Sequence, residues 1–166
     1  KLFNGGLLGG TEFGHTVVQV GGVRCTCGRE GCLESYASAT GLIRMAREQM
    51  DKHPDSLLWK LCDGDKSKVN AELAFKASDE KDEAGMLAVQ EYMKYLAAGV
   101  ANAINMFRPE VVVLGGGISN RGEKLAAELN EMVKGECFGH TFVKPAEVVI
   151  ASLKNDAGII GAAELC

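Results

Sequence analysis

Three cysteines, Cys25, Cys27 and Cys32, fall within eight positions in the most glycine-rich part of the chain. Glycines 5, 6, 9, 10, 14, 21, 22, 28 and 31 crowd the first 34 residues, with few helix formers between them. Such a stretch reads as turns and short strands, because glycine supplies the positive φ that tight turns need. It has little apolar material for a core of its own. The spacing His15-x9-Cys25-x-Cys27-x4-Cys32 offers another way to hold it. Zinc favours four tetrahedral ligands of sulfur and imidazole, and Cys3His is a standard structural set. Gly28 would permit the reversal after Cys27, and Gly31 would let Cys32 return to the same point. Structural zinc contributes about 10–16 kcal/mol of apparent binding energy, ample for such a loop.

Other chemistries compete for these thiols. Disulfides are disfavoured by a reducing compartment, and Cys25 and Cys27 are poorly placed to bridge each other. An iron–sulfur centre could use the same thiolates but usually takes four cysteines. Unliganded buried thiols are the bland alternative. Cys62, Cys137 and Cys166 stand alone and read as packing or surface thiols.

Length and composition bound the rest. With 166 residues, 46% hydrophobic and 24% charged, the chain has the make-up of one ordinary globular domain. The net charge of −4 and pI near 5.4 argue against a non-specific nucleic-acid binder, which needs a basic face. Nothing looks like a signal peptide, and no apolar run approaches the roughly 20 residues that cross a bilayer. The expected class is a soluble cytoplasmic domain.

Patterning places the elements. The β-branched run from His15 to Val20, ending at Gly21-Gly22, suggests one strand. From Glu34 a helical stripe of Tyr36, Ala37, Ala39, Leu42, Ile43, Ala46 and Met50 runs to a stop at Pro54. Residues 56–83 read as a helical excursion on the surface. A long helix follows over 84–107, ended by Arg108-Pro109. Val111 to Leu114 is a continuous apolar run, as in a strand buried on both faces. After Gly115-Gly116-Gly117 a helix is expected from about 123 to 133, then a second buried strand over 147–151. A last helix starts near Asp156, a good N-cap, with a small face of Ala157, Gly158, Gly161, Ala162 and Ala163. The alternation predicts an α/β sheet. The triple glycine sits where α/β sheets bind nucleotides, yet it matches neither the dinucleotide fingerprint nor a Walker loop. A plain strand–helix turn fits it equally well.

Glu12-Phe13-Gly14-His15, followed by Cys25-Thr26-Cys27-Gly28-Arg29-Glu30-Gly31-Cys32-Leu33-Glu34, resembles the ROK family of repressors, open reading frames and sugar kinases. That family carries E-x-G-H and then C-x-C-G-x-x-G-C-x-E, and every fixed position is matched. Val111 to Ser119 resembles the family's strand and glycine-rich adenosine loop, and Ala157 to Ala163 its C-terminal helix motif. The resemblance implies an actin-like (ribonuclease H-like) sugar kinase fold, of which residues 1–166 would be the C-terminal lobe. It implies that Glu12, His15 and Glu34 hydrogen-bond sugar hydroxyls, and that Gly115, Gly116 and Gly117 line the adenosine pocket. Structural zinc on His15, Cys25, Cys27 and Cys32, ATP with Mg2+ as co-substrate, and a homodimer belong to the same picture.

Phosphoryl transfer to a hydroxyl also needs a base and a phosphate cradle. The family supplies its base as an Asp after an Asn in the N-terminal lobe, so no catalytic base is expected in this chain. Lys1 to Gly5 resembles the hairpin after the second phosphate loop, and Asn155-Asp156 is not assigned as the base. The resemblance implies the C-terminal portion of a bacterial sugar kinase of glucokinase type, about twice as long, that phosphorylates a hexose, most simply glucose. The alternative is the sugar-sensing half of a ROK transcriptional repressor, whose DNA-binding segment would lie upstream.

Overall fold

The computed structural model describes Gly6, residues 10–153 and residues 156–164. The expected hairpin at Lys1 to Gly5, Asn155 and Cys166 lie outside the described residues. The chain divides into two compact units, with the boundary between Tyr95 and Leu96.

The first unit begins with the glycine-rich segment and continues as helices. The expected strand over residues 15–20 does not form. A 3-10 turn spans Phe13–His15, and beyond it only two isolated antiparallel bridges occur, Val17 with Cys32 and Arg24 with Glu30. Turns interrupt the β-branched run before a ladder can extend. The helical stripe from Glu34 is real but broken. Helix α1 covers Glu34–Ala37 and α2 covers Ala39–Lys52, with Ser38 in extended backbone between them. The Ser38 hydroxyl accepts the Gly41 N–H at 3.2 Å and so caps α2. Periodicity ran through this break because both pieces present apolar residues inward.

Residues 56–83 hold α3 (Leu57–Leu61) and α4 (Ala71–Asp79), helical as expected. They are not merely a surface excursion, since Leu58, Ala74, Phe75 and Ala77 are buried. Helix α5 (Glu83–Phe107) follows, and Arg108 with φ 48° and Pro109 terminate it. Phe75 of α4 meets Tyr92 of α5 edge to face at 6.1 Å between centroids. Burial drives the Tyr92 hydroxyl pKa up to about 12.

Asp82 joins these helices. Its carboxylate accepts the Ser56 hydroxyl and the Leu57 N–H, both at 2.8 Å, and the Gly85 N–H at 2.9 Å. One side chain thus satisfies free N–H groups at the starts of both α3 and α5, where the helix dipoles also favour negative charge.

The second unit is α/β, as the alternation predicted. Strands β1 (Val111–Leu114) and β2 (Glu147–Ile150) pair in parallel, Val112 opposite Val148, with α6 (Glu123–Lys134) between them in sequence. Helix α6 packs on β2 and buries Leu125, Leu129 and Val133. Asn130 of α6 accepts the Val148 N–H at 2.9 Å and donates to the Val148 carbonyl at 2.8 Å. Its amide therefore imitates a neighbouring strand. The expectation that β1 is buried on both faces does not hold, because Val111 and Val113 are 45% and 56% exposed. Among the described residues the sheet has two strands, and this face of β1 has no layer over it. Helix α7 (Ala157–Ala163) starts where expected, but Asp156 is itself helical in φ/ψ and makes no side-chain cap. Gly158, Gly161, Ala162 and Ala163 of its small face are exposed. No helix among the described residues is long and apolar enough to cross a membrane.

Asp82→Ala should lower stability by about 2 kcal/mol, since it removes the acceptor for two helix starts at once. Thermal unfolding would show it as a fall in Tm of several degrees, and an unchanged Tm would contradict the shared-cap role.

Candidate functional site

The cysteine turn folds because backbone groups are used closely. The Gly31 carbonyl accepts N–H groups from Val18 at 2.8 Å and Gln19 at 3.2 Å, while its own N–H donates to the Val23 carbonyl at 2.8 Å. Gly31 has φ +78°, and a Cβ there would run into the Gln19 carbonyl. Only glycine fits at this point, for conformation and space together. The Cys25 N–H donates to the Arg29 carbonyl at 2.7 Å, which closes the turn between Cys25 and Cys32.

This turn brings together the four residues singled out for metal. The ligand atoms of His15, Cys25, Cys27 and Cys32 all lie within 4.8 Å of one another. His15 Nδ1 is 3.6 Å from Cys25 Sγ, and Cys27 Sγ is 3.6 Å from Cys32 Sγ. Zinc–sulfur bonds of about 2.3 Å and zinc–nitrogen bonds of about 2.0–2.1 Å in a tetrahedron require ligand separations of about 3.5–3.8 Å. The donor set and these two spacings fit zinc. Cys25 and Cys32 are buried, and Cys27 is exposed.

The thiols are electrostatically unequal. The Cys27 backbone N–H, hydrogen-bonded to the Cys25 sulfur, brings the Cys25 thiol down to about 6. Burial, followed by hydrogen bonds with Cys27 and Cys25, pushes Cys32 up to about 11. Cys25 is thus the easier of the two thiols to deprotonate and Cys32 the harder. Metal binding to thiols releases their protons.

The three residues expected at the sugar gather around the same imidazole. Glu34 Oε2 stands 3.5 Å from His15 Nδ1, and Glu12 Oε2 stands 4.0 Å from His15 Nε2. Both carboxylates are exposed and His15 is partly so. The His15 carbonyl is tied to the turn by Arg29 Nη1 at 3.2 Å and Cys32 Sγ at 3.6 Å. Thr11, just before Glu12, adopts φ 73°, an unusual conformation for a β-branched residue.

Gly115, Gly116 and Gly117 belong to the second unit and follow β1 directly. Gly116 has φ 73°, and a Cβ at either Gly116 or Gly117 would meet nothing within 4 Å. The loop therefore presents open backbone. It turns through a 3-10 segment, Gly117–Arg121, in which buried Ser119 donates its hydroxyl to the Gly116 carbonyl at 2.7 Å. Helix α6 follows from Glu123, where the pattern places it.

Nothing in the sequence pattern marks Tyr36 as a residue that reaches the cysteine turn. The helical stripe put it in the core, where it is, but its hydroxyl also accepts the Val23 N–H at 2.7 Å. The signal was its polar tip, since a buried tyrosine hydroxyl needs a partner.

The sequence model of the ROK family matches residues 1–166. The chain belongs to the ROK family. This ROK chain is 42% identical over 156 residues to a glucokinase of Thermotoga maritima, covering 94% of this chain and 49% of that protein. It is also 28% identical over 163 residues to a xylose repressor of Caldicellulosiruptor bescii, covering 97% of this chain and 40% of that one. Among solved structures it resembles a ROK family glucokinase from Streptomyces griseus in complex with glucose and AMPPNP. There the TM-score is 0.91 and identity 30%, over 100% of this chain and 54% of the other. The fold is thus the α/β fold of ROK sugar kinases, and the chain spans about half the length of the curated glucokinases it matches.

Gly31→Ala should cost about 2–4 kcal/mol, because a left-handed φ and a backbone collision are imposed together. Limited proteolysis would find faster cleavage within residues 16–32 than in the native chain. Equal resistance would refute the closure at Gly31.

Proposed function

We propose that this chain is the C-terminal lobe of a ROK sugar kinase that transfers phosphate from ATP, with Mg2+, to a hexose, and that the hexose is glucose. Glu12, His15 and Glu34 bind the sugar. His15, Cys25, Cys27 and Cys32 hold structural zinc, and Gly115, Gly116 and Gly117 line the adenosine pocket. We place the protein in the cytoplasm. The observation that carries this reading is the convergence of two exposed carboxylates on one imidazole whose other neighbours are thiols. Likeness to the Thermotoga and Streptomyces griseus glucokinases supports glucose and ATP as substrates.

The chemistry follows from the donor inventory. Carboxylates accept hydrogen bonds from hydroxyls, and an imidazole N–H donates to a hydroxyl oxygen. Zinc, when bound, fixes the ring and tautomer of His15. With Nδ1 turned to the thiols, Nε2 carries the proton and remains free to donate to a sugar oxygen. Glu12 and Glu34 then accept from hydroxyls on either side of that contact. Such a set grips and orients a polyol. The base for the attacking hydroxyl is assigned to no residue of this chain, Asp156 included, because the residues that follow it resemble the last helix motif. Open backbone at Gly116 and Gly117 suits close approach by a flat ligand such as adenine.

The second reading, a sugar sensor within a repressor, draws on the likeness to the xylose repressor. Its sugar contacts would be the same, without phosphoryl transfer. Upstream sequence separates the two: an Asp-x-Gly-Gly-Thr start with an Asn-Asp pair marks the kinase, and a winged helix marks the repressor.

A coupled assay with glucose and ATP should show turnover by the whole protein and none by the 166-residue chain alone. Turnover by the isolated chain would overturn the placement of the base, and glucose binding without turnover by the whole protein would favour the sensor. Metal analysis should find about one zinc per chain, as a closed four-ligand site demands. Cys27→Ser should lower zinc content and glucose affinity together, because His15 serves both. A folded protein with less than about half an equivalent of zinc would refute the metal site.

A further inference from the structure

The Tyr36 side chain is 4% exposed and lies on α1, two residues beyond Glu34. Its ring is held on two sides, by Tyr95 at 4.2 Å between centroids and by the Arg44 guanidinium at 5.4 Å from its centroid. A phenylalanine would make these ring contacts equally well, so packing does not account for the hydroxyl. That hydroxyl reaches across to the loop and accepts the Val23 N–H at 2.7 Å. Val23 is also bound through its carbonyl by the Gly31 N–H at 2.8 Å, and it lies two residues before Cys25. The phenol therefore grips the backbone node from which both arms of the cysteine turn depart.

Gly22 adds a second observation. A Cβ at this position would run into the Tyr36 oxygen and would stand 2.9 Å from the Gln19 carbonyl. Gly22 is not among the glycines with positive φ, so its lack of a side chain serves close approach and not an unusual backbone. The loop leaves room there for the phenol.

We propose that Tyr36 is a positioning residue for the sugar site, its hydroxyl fixing the turn that carries Cys25 at a set separation from the helix that carries Glu34. This rests on the assignment of Glu34 and His15 to the sugar. His15 is tied to the cysteine turn through its carbonyl and its ring, so a turn that drifts from α1 carries His15 away from Glu34. The phenol contact makes the spacing between an acceptor and a donor for adjacent hydroxyls a fixed quantity.

The test is Tyr36→Phe in the whole protein, with zinc content, glucose kinetics and ATP kinetics measured side by side. Losing one hydrogen bond that sets geometry should raise KM for glucose about fivefold to tenfold. Zinc content, kcat and KM for ATP should stay at native values. A lowered Tm with both KM values native would make the hydroxyl merely structural and overturn the proposal. Loss of zinc alongside glucose affinity would also overturn it, by assigning Tyr36 to the metal turn alone. If the variant fails to fold, hydrogen exchange in the native protein decides instead. By reciprocity of coupling, bound glucose should slow exchange of the Val23 amide at least about fivefold. An unchanged rate would overturn the proposal. A native protein that binds no glucose at all would refute the sugar assignment itself, and calorimetry shows that before any variant is made.

Discussion

The first unit depends on how its glycine-rich segment is closed, and the closure is a backbone event at Gly31. Two N–H groups from one arm meet its carbonyl, and its own N–H returns to Val23. Any side chain there would displace the Gln19 carbonyl that lies against it. Nothing else in residues 16–24 forms a ladder that could hold the arms together, since the two bridges are isolated. From this closure follow the approach of Cys32 to Cys27, the anchoring of His15 by Cys32 and Arg29, and the start of α1 at Glu34 directly after Cys32. The hydrophobic effect has little purchase on so small an apolar content. Hydrogen bonds and ligand atoms shape the segment instead.

What could be read from the residues beforehand divides along the same line. The helices of the first unit and the parallel strand pair of the second were legible, because periodicity of burial leaves a mark at every third or fourth residue or along a continuous run. The gathering of His15, Cys25, Cys27 and Cys32 was legible from residue type and spacing. Three things were not. Ser38 breaks the stripe from Glu34 to Met50 without disturbing its apolar phase, so periodicity passed over it. Val111 and Val113 look like strand residues buried on both sides, yet burial depends on what lies over a face, and a four-residue run carries no record of its neighbours. The run from His15 to Val20 has β-branched residues, but strands need a partner in register, and the turns around Gly21 and Gly31 deny it one.

Side chains that complete backbone hydrogen bonding were the hardest to foresee, and three of them hold the molecule at critical places. Asp82 caps the starts of α3 and α5. Asn130 stands in for a strand beside Val148. Ser119 closes the turn after Gly116. Each is an ordinary polar residue in an ordinary-looking stretch of sequence. Their roles arise only once the fold has left a donor or acceptor without water, and unmet groups in such places cost about 1–3 kcal/mol each. Sequence patterns record where apolar side chains go. They do not record which backbone groups are left over.

The placement of His15 has a further consequence for how a metal and a polyol could share one residue without interfering. Nδ1 faces Cys25 and Nε2 faces Glu12, so the two ring nitrogens look toward different chemistries. A ligand bond at Nδ1 obliges the remaining proton to sit at Nε2, where it serves as a donor at any pH that keeps the metal bound. A free imidazole can exchange tautomers and so does not hold the donor at one nitrogen. Glu34 Oε2, at 3.5 Å from Nδ1 and 3.8 Å from Cys25 Sγ, borders the thiol side, while Glu12 borders the open side. The two carboxylates are therefore not equivalent. Glu12 approaches the Nε2 side of the ring, whereas Glu34 lies beside the thiols, on the same short helix as Tyr36. A metal in this cluster would act through geometry alone, by deciding which nitrogen of one histidine donates and where Glu34 is free to point.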